Sequence, residues 1–278
     1  MRDKISACLT VGNEEANIRR CLESLHWVDE IVVVDSFSQD RTVEICREYT
    51  ERVYQHAWLG YVGQKELIKQ MASHPWLFFV DADEEVSPEL RDEILAEFNS
   101  GRNRKVAAYK FPRKVFFLGK WITHGEWWPD IKIRLFLKDR GICTGQEPHD
   151  YVAVQGPVKK LNGCLFHYTY DDLSDQIATL NRFSSISAAS MHKNGRRFSI
   201  LDLIFRPLFR FLKGYFLKRG FCSGIRGLII STLTATGVFL KYAKLWELSH
   251  APEGAQTIKD GTLLQSSPPS DNPQNNPG

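Results

Sequence analysis

Residues 76–85, with the sequence WLFFVDADEE, decide how the first half of this chain folds. The apolar run from Trp76 to Val80 predicts a buried strand, and acids occupy four of the five positions after it. At the carboxyl end of a strand, Asp81 and Asp83 can present their carboxylates to one small volume. Two carboxylates that close repel each other unless a positive charge lies between them. This D-x-D motif therefore predicts a site for Mg²⁺ or Mn²⁺, completed by substrate phosphates.

The alternative for this segment is a solvated acidic turn before a helix. Ser87 and Pro88 support the alternative, because serine is a favoured helix N-cap and proline is favoured at the first helical position. A short acidic motif taken alone is weak support for a metal site. The pattern on both sides of residues 76–85 strengthens the metal interpretation.

The first part of the chain alternates between apolar runs and segments with helical spacing. Strands are predicted at residues 5–11, 31–34, 52–55 and 76–80. Helices are predicted at residues 14–25, 40–49, 62–73 and 88–98. This alternation predicts an α/β fold with a doubly wound, mostly parallel sheet. Ligands of such sheets bind outside the carboxyl ends of the strands.

Polar loops follow three of the predicted strands, at residues 12–15 (GNEE), 35–40 (DSFSQD) and 81–83 (DAD). In a parallel sheet these loops converge on one crevice. Helix capping explains Asn13 or Asp40 taken singly, but it does not explain the whole set. The chain has no G-x-G-x-x-G or Walker lysine loop, which disfavours a dinucleotide-binding fold or a P-loop ATPase.

The second part of the chain has a different pattern. Further strands are predicted at residues 106–111, 114–118, 132–137 and 165–170, and a second polar cluster lies at residues 146–150. A loop between them contains Trp121, Trp127 and Trp128. An aromatic face beside carboxylates suits a sugar ring, so this loop predicts sugar contact. The alternative is that these tryptophans cap the core of the sheet.

The composition excludes some classes of protein. The net charge is only +3, and the six cysteines include no C-x-x-C pair. Scattered thiols indicate a reducing compartment and argue against a structural zinc site. The N-terminal residues lead straight into a predicted strand, and no apolar signal region is visible there.

Residues 193–219 contain eight basic residues and one acid, interleaved with Phe and Leu. This basic amphipathic pattern favours an anionic membrane surface over nucleic acid. The apolar run at residues 228–240 has 13 residues, fewer than the roughly 20 that span a bilayer. We therefore expect it to form a buried or interfacial helix. The tail after Ala251 is rich in Pro, Asn, Ser and Gly, which predicts disorder.

Four segments resemble family 2 glycosyltransferases in order and spacing: residues 10–15 (TVGNEE), 21–25 (CLESL), 35–42 (DSFSQDRT) and 81–84 (DADE). Later segments resemble the branch that holds the lipopolysaccharide core β-1,4-glucosyltransferases. These are residues 128–130 (WPD) with 134–136 (RLF), the His149-Asp150 pair where relatives often have His-Glu, and residues 206–208 (RPL) through 220–221 (GF).

The resemblance implies a GT-A type fold and an inverting sugar transfer from a nucleotide-diphosphate donor, in the first instance a UDP-sugar. Position by position, it implies nucleobase or ribose contact at Asp35, ribose or metal contact at Asp81, and coordination of the divalent ion at Asp83. Further candidates for the donor site are Asn13, Glu14, Ser36 and Lys65, and His149 is a further candidate for the metal or the diphosphate. A solvated helix face is the alternative for Lys65.

Inversion by direct displacement needs one base to take the proton of the acceptor hydroxyl. The resemblance implies an acid after the metal motif, and the candidates are Asp130, Asp150 and Glu147. Asp130 is favoured, since it lies in the Trp-Pro-Asp loop with Arg134 shortly after it. Aspartate in place of glutamate after His149 shortens the side chain at Asp150, which leaves both candidates open.

The leading interpretation is a metal-dependent glycosyltransferase that acts on a lipid-linked glycan of the lipopolysaccharide inner core, peripheral on the cytoplasmic face of the inner membrane. Residues 1–172 form the catalytic domain, residues 173–250 an amphipathic helical region and residues 251–278 the tail. A sugar-phosphate nucleotidyltransferase is disfavoured, because residues 12–15 are acidic where that class has a glycine-rich basic loop. A non-catalytic membrane-surface protein is disfavoured, because the candidate site acids are intact: Asp35, Asp81, Asp83 and Asp130.

Overall fold

The computed structural model of the protein describes residues 2–146, 149–170 and 172–250, with the backbone alone for Gln146 and His149. The strands are β1 Ile5–Val11, β2 Glu30–Asp35, β3 Val53–Gln55, β4 Trp76–Phe79, β5 Glu84–Val86, β6 Ala108–Phe117, β7 Lys120–Trp121, β8 Asp130–Leu137, β9 Gly141–Gln146, β10 His149–Val154, β11 Val158–Lys160 and β12 Leu165–His167. The α-helices are α1 Ile18–Glu23, α2 Thr42–Arg47, α3 Gly60–Met71, α4 Pro88–Asn99, α5 Leu173–Lys193, α6 Ile200–Leu212 and α7 Ile225–His250.

One large sheet organises the molecule, with the strand order β3-β2-β1-β4-β8-β6-β12-β5. The strands β3, β2, β1 and β4 are parallel to one another. The strand β8 pairs antiparallel with both β4 and β6, so the second half of the sheet is mixed. The α/β fold class predicted from the sequence is confirmed, and the antiparallel half is a feature that the strand pattern did not predict.

The sheet is covered on both faces, and β4 shows how. Trp76 and Phe78 pack into the apolar cluster on one face, while Leu77 and Phe79 pack into the cluster on the other. Successive side chains of a strand point to opposite faces. A strand that is buried on both faces therefore has an unbroken apolar sequence, which is what residues 76–80 have.

The helices α1 and α2 are shorter than the helical spacing predicted. Asn13 has a left-handed backbone, with φ at 56°. The backbone N–H of Glu14 donates to Oγ1 of Thr42 over 2.7 Å. This contact ties the residues before α1 to the first residue of α2, and α1 begins only at Ile18.

The strand β6 runs without interruption where the sequence predicted two strands around Pro112. Residues Ala108–Lys110 of β6 pair with β11, and residues Arg113–Val115 pair with β12. Pro112 lies between these two stretches, so its missing N–H removes no bond to either strand. On the other edge of β6, Pro112 is paired with Ile131 of β8.

The C-terminal helices pack on one another, with α7 in contact with both α5 and α6. The run at residues 228–240 lies within α7, which buries Tyr242 and Leu245 further along. Among the described residues, α7 is the one helix long and apolar enough to cross a membrane, and 22% of its most apolar stretch is buried in the protein. The buried or interfacial interpretation and the predicted domain boundaries stay predictions, and the tail 251–278 lies outside the described residues.

Candidate functional site

Two of the predicted polar loops are joined by hydrogen bonds at the carboxyl edge of the parallel strands. The N–H of Asn13 donates to Oγ of Ser38 over 2.8 Å, and the N–H of Gln39 donates to Oδ1 of Asn13 over 2.8 Å. Val11, at the end of β1, is paired with Asp35 at the end of β2. The loops after β1 and β2 therefore form one continuous wall of a crevice.

Asp35 is fully buried beneath this wall. Its carboxylate accepts hydrogen bonds from the backbone and hydroxyl of Ser38 and from Nε2 of Gln55, the last over 3.0 Å. Ser36 accepts a hydrogen bond from Nε2 of Gln64 over 2.9 Å. These contacts fix the shape of the loop, and contact of Asp35 or Ser36 with a nucleotide stays a prediction.

Asp81 is surrounded by cations of the chain itself. Both terminal nitrogens of Arg134 contact its carboxylate, and Nζ of Lys65 and Nη1 of Arg113 each lie 3.8 Å from it. Burial by itself raises the pKa of Asp81, but the three cations outweigh it and hold that pKa well below its usual range. Asp81 is therefore charge-compensated without a metal ion, and its role as a metal ligand stays a prediction.

Lys65 lies inside the site. Its side chain is only 12% exposed, and its Nζ lies 2.6 Å from Oδ2 of Asp150. The alternative of a solvated helix face is therefore wrong for Lys65. The helix α3 directs this ammonium group toward the end of β4, where it stands between Asp81 and Asp150.

Glu84 contacts two of the cations that surround Asp81, and it also binds the backbone of Asp81. It is fully buried, and its Oε1 lies 3.0 Å from Nη1 of Arg113 and 3.0 Å from Nη2 of Arg134. Its Oε2 accepts a hydrogen bond from the N–H of Asp81 over 2.9 Å. Buried charges are tolerated when they are paired and hydrogen-bonded. This arrangement fixes the backbone that carries the D-x-D motif.

Asp83 faces a different partner, the imidazole of His167 on β12. Its Oδ2 lies 3.0 Å from Nε2 of His167, while Oγ1 of Thr169 lies 2.9 Å from Nδ1. The described residues contain no group of three or more His, Cys, Asp or Glu side chains suited to a metal ion. A carboxylate and an imidazole are nevertheless metal ligands, and Mg²⁺ is often held by one or two protein ligands with substrate phosphates and waters. The residues present fit a divalent ion of that kind.

Glu14 adds a titratable acid to the crevice. Burial raises the pKa of Glu14 to about 7, and the charges of Asp83, Asp40 and Asp81 act in the same direction. A hydrogen bond from Asn17 opposes them only in part. The influence of Asp83 and Asp81 on Glu14 indicates that the third polar loop lies close to the first two.

The two described candidates for the base are both ion-paired. Asp130 is 30% exposed and accepts hydrogen bonds from Nη2 and Nε of Arg113, over 2.6 and 2.9 Å. Burial alone raises the pKa of Asp130, but Arg113 and Lys132 outweigh it and lower that pKa. Asp150 is 13% exposed and is held by Lys65. Asp130 is thus the more accessible of the two.

Glu147 and the side chain of His149 lie outside the described residues, so their predicted roles stay predictions.

Two of the predicted sugar-contacting tryptophans are packed among other rings. Trp121 contacts the rings of Phe116, Phe166 and Tyr168, and Trp127 contacts those of Phe117 and Tyr170. The core-capping alternative therefore describes Trp121 and Trp127, and Trp128 remains the candidate for stacking on a sugar.

Sequence reasoning missed four members of the site, namely Glu84, Arg113, Arg134 and His167. Arg134 belongs to the RLF segment at residues 134–136 and Glu84 to the acidic run at residues 81–85, so the sequence contained a local indication of both. His167 lies in a predicted strand, but nothing in its neighbourhood distinguishes it from a core histidine. Its position follows from the pairing of His167 with Glu84 across β12 and β5, which no local pattern predicts.

Comparison with known proteins identifies relatives of the chain. The chain matches a family model described as Glycosyl transferase family 2 over residues 6–151. An uncharacterized glycosyltransferase of Rickettsia typhi is 34% identical over 256 residues, which cover 88% of each chain. The lipopolysaccharide core biosynthesis glycosyltransferase LpsC of Rhizobium meliloti is 30% identical over 263 residues, which cover 92% of this chain and 96% of LpsC.

The structure of residues 1–349 of S. aureus TarS in complex with UDP-GlcNAc resembles this chain with a TM-score of 0.46 and 13% identity, over 88% of this chain and 91% of that one. The sequence relationships are the stronger finding, because the family match spans more than half of the chain and the relatives align along most of it. The protein, with its α/β fold, belongs to glycosyltransferase family 2.

Proposed function

We propose that this protein is an inverting, metal-dependent glycosyltransferase that moves a hexose from a UDP-sugar to a lipid-linked glycan of the lipopolysaccharide inner core. The observation that carries the proposal is the pair formed by Asp83 and His167, 3.0 Å apart, beside a buried network of cations. A carboxylate and an imidazole at one edge of the crevice offer a divalent ion two ligands, and a diphosphate supplies others.

The donor is proposed to lie across the carboxyl ends of the parallel strands. Asn13, Glu14, Asp35 and Ser36 form the wall on the nucleoside side, and Lys65 and Asp81 lie on the diphosphate side. A bound divalent cation stabilises the charge that develops on the leaving diphosphate. Asp83 and His167 are the residues proposed to hold it, with Asp81 and His149 as further candidates.

Inversion requires a base on the face of the sugar opposite the leaving group. We propose Asp130 for this role, with Asp150 and Glu147 as the other candidates. The exposure of Asp130 supports the choice, because an acceptor hydroxyl can approach it more readily than Asp150. The ion pair with Arg113 holds the carboxylate in place, and it must loosen before the carboxylate accepts a proton.

A lipid-linked acceptor and a membrane location are supported by two observations. LpsC, named for lipopolysaccharide core biosynthesis, aligns along almost the whole chain. The helix α6 buries none of its residues, and it exposes a row of large apolar side chains: Leu201, Ile204, Phe205, Leu208, Phe209 and Leu212. An amphipathic helix of this kind binds at a bilayer surface. We propose that α6 keeps the enzyme on the cytoplasmic face of the inner membrane.

The first experiment is hydrolysis of the donor by the purified protein. UDP-, GDP- and ADP-sugars are incubated with Mn²⁺, Mg²⁺ or EDTA, and release of the nucleoside diphosphate is measured. We expect slow release from one UDP-sugar, dependent on the metal and lost in Asp83→Ala. Asp92→Ala is the matched control, since Asp92 is an exposed aspartate on α4 that pairs with Arg91.

Metal-dependent release that survives in Asp83→Ala would contradict the assignment of that residue. Absence of release and of binding for every donor, with truncated lipopolysaccharide also present, would favour a protein that binds a membrane surface without catalysis. Identification of the sugar that is released would name the donor in the same experiment.

A further inference from the structure

Glu126 links the loop that leads into β8, where Asp130 is the first residue, to the helical region. Its side chain is only 6% exposed, and its Oε1 lies 2.9 Å from Nη2 of Arg210 and 3.3 Å from Nζ of Lys218. Arg210 lies in α6, and Lys218 follows the π-helical turn Lys213–Leu217 that extends α6. One carboxylate therefore joins the loop before β8 to two points of the segment that contains α6.

Further contacts tie the same two segments together. The N–H of Gly125 donates to the carbonyl of Lys218 over 2.9 Å, and a Cβ at Gly125 would lie 3.1 Å from Cα of Gly220. Oγ of Ser223, shortly after Lys218, donates to the carbonyl of His124 in the loop over 3.4 Å, and the guanidinium of Arg226 in α7 donates to the carbonyl of Leu118 in the turn between β6 and β7, with Nε at 2.8 Å. The loop is thus held against the helical region along its length, and the absence of a side chain at Gly125 permits the close approach.

The polar centre of this contact is not fully satisfied. Among the described residues, Oε2 of Glu126, Nε of Arg210 and Oγ of Ser231 are buried without a hydrogen-bond partner. An unpaired buried polar atom destabilises the folded state, and each such atom in a native protein needs an explanation. Three such atoms lie where Glu126 meets the helical region.

The outer face of α6 has the chemistry of a membrane surface. Its exposed apolar row continues into Phe216 and Leu217. Four nearby basic side chains have no ion pair within the part of the chain that the structure describes: Lys193, Arg197, Lys213 and Arg219. Exposed apolar groups flanked by unpaired cations fit an anionic bilayer better than a second copy of this chain, whose net charge is also positive.

We propose that Glu126 is a positioning residue, which transmits docking of α6 on an anionic membrane to the loop that carries Trp128 and leads into Asp130. The loop is short and well connected, because Trp128 donates its N–H to the carbonyl of Gly125 over 3.3 Å. When α6 is immobilised on a bilayer, Arg210 and Lys218 hold Glu126 and thereby fix the acceptor side of the crevice. This inference rests on the membrane docking in the proposed function. It adds the residue that couples docking of α6 to the position of the loop at the site.

The test measures amide hydrogen exchange of the full-length protein, with and without vesicles of phosphatidylglycerol and phosphatidylethanolamine. We expect the wild-type protein to float with these vesicles and its Gly125 and Trp128 amides to exchange several-fold more slowly when bound. In Glu126→Gln, flotation is expected to remain while the slowing at Gly125 and Trp128 is lost. A purely structural role would instead raise exchange equally with and without vesicles.

Glu97→Gln is the matched control. Glu97 is another glutamate with a side chain 6% exposed, held by an arginine and a lysine (Arg102 and Lys159), but it lies on α4 instead of the loop. We expect this variant to keep the response of Gly125 and Trp128 to vesicles.

Three results would overturn the inference: an equal vesicle response in Glu126→Gln and wild type, loss of the response in Glu97→Gln as well, or failure of the wild type to float. Dimerisation through the α6 face without flotation would assign that face to a second copy. Neither flotation nor hydrogen exchange needs donor or acceptor. Failure of this inference is therefore distinguishable from failure of the transferase proposal, which the release of UDP tests.

Discussion

The carboxylate of Asp83 lies 3.0 Å from Nε2 of His167, although 84 positions separate the two residues in the chain. The contact exists because β12 pairs with β5, the strand that follows the D-x-D motif, with His167 opposite Glu84. The strand order of the sheet therefore creates a two-ligand site that neither segment forms alone.

Replacement of His167 by alanine tests this site. We expect metal-dependent release of UDP to fall by at least roughly 10- to 100-fold, which is the loss that follows removal of an outer-shell partner alone. A higher Mn²⁺ concentration should be needed for half-maximal rate, because one ligand of the ion is lost. Titration of the release rate with Mn²⁺ provides the measurement. His26→Ala is the control, since His26 is exposed and its ring is hydrogen-bonded to the carbonyl of Glu23. An unchanged Mn²⁺ dependence in His167→Ala would rule out His167 as a ligand.

Replacement of Arg134 by methionine tests the buried network. The change leaves the fully buried Glu84 with Arg113 alone and removes the main partner of Asp81. Breaking a buried ion pair costs about 3–5 kcal/mol, and the remaining Arg113 contact places the expected loss near the lower end. Urea denaturation gives the free energy of unfolding. Arg41→Met, which breaks an exposed pair with Glu44, is expected to lower the free energy of unfolding far less, because solvent screens an exposed ion pair.

The assignment of the base is tested by Asp130→Asn and Asp150→Asn. We expect Asp130→Asn to lower kcat for transfer to truncated lipopolysaccharide by roughly 10²- to 10⁴-fold, with little change in the KM for the donor. Asp150→Asn releases Lys65 and should act mainly on that KM. Initial rates at varied donor concentration separate the two effects. The reverse pattern would make Asp150 the base.

The raised pKa of Glu14 predicts how the free energy of unfolding depends on pH. Burial raises the pKa of Glu14 to about 7 in the folded protein, whereas the unfolded chain has the ordinary, lower value. The folded state then binds more protons between the two values, so the free energy of unfolding falls as pH rises through this window. Glu14→Gln should remove that fall, which melting temperatures in metal-free buffer at about pH 5 and about pH 8 would reveal. Equal falls in both proteins would contradict the raised pKa.

Two changes on α6 test the membrane surface. Leu208 and Phe209 are both exposed, so their replacement by glutamate should leave the fold intact. Burial of a Leu or Phe side chain contributes about 1.5–3 kcal/mol, and the double change should weaken binding to anionic vesicles by roughly 100-fold or more. Flotation measures the binding. Ile142→Glu, at an exposed apolar residue on β9, should bind as the wild type does.

Parts of the fold and the site followed from local sequence alone. The strand β1 has the bounds that its apolar run predicted, and α4 begins at Pro88, where the Ser87 hydroxyl accepts the N–H of Leu90 as an N-cap. Such features depend on neighbouring residues, so a pattern of a few positions contains them. The loops after β1, β2 and β4 were also predicted, because a polar break after a buried strand is a local signal.

The sequence by itself determined the α/β alternation, the carboxyl-edge crevice and the acids that line it, since burial and turn chemistry act over short stretches. Only the tertiary structure decided the partners of those acids. Asp81 meets Arg134 on β8, and Asp83 meets His167 on β12. Strand order and register bring together side chains far apart in the chain, and they result from the packing of the whole sheet rather than from any one segment.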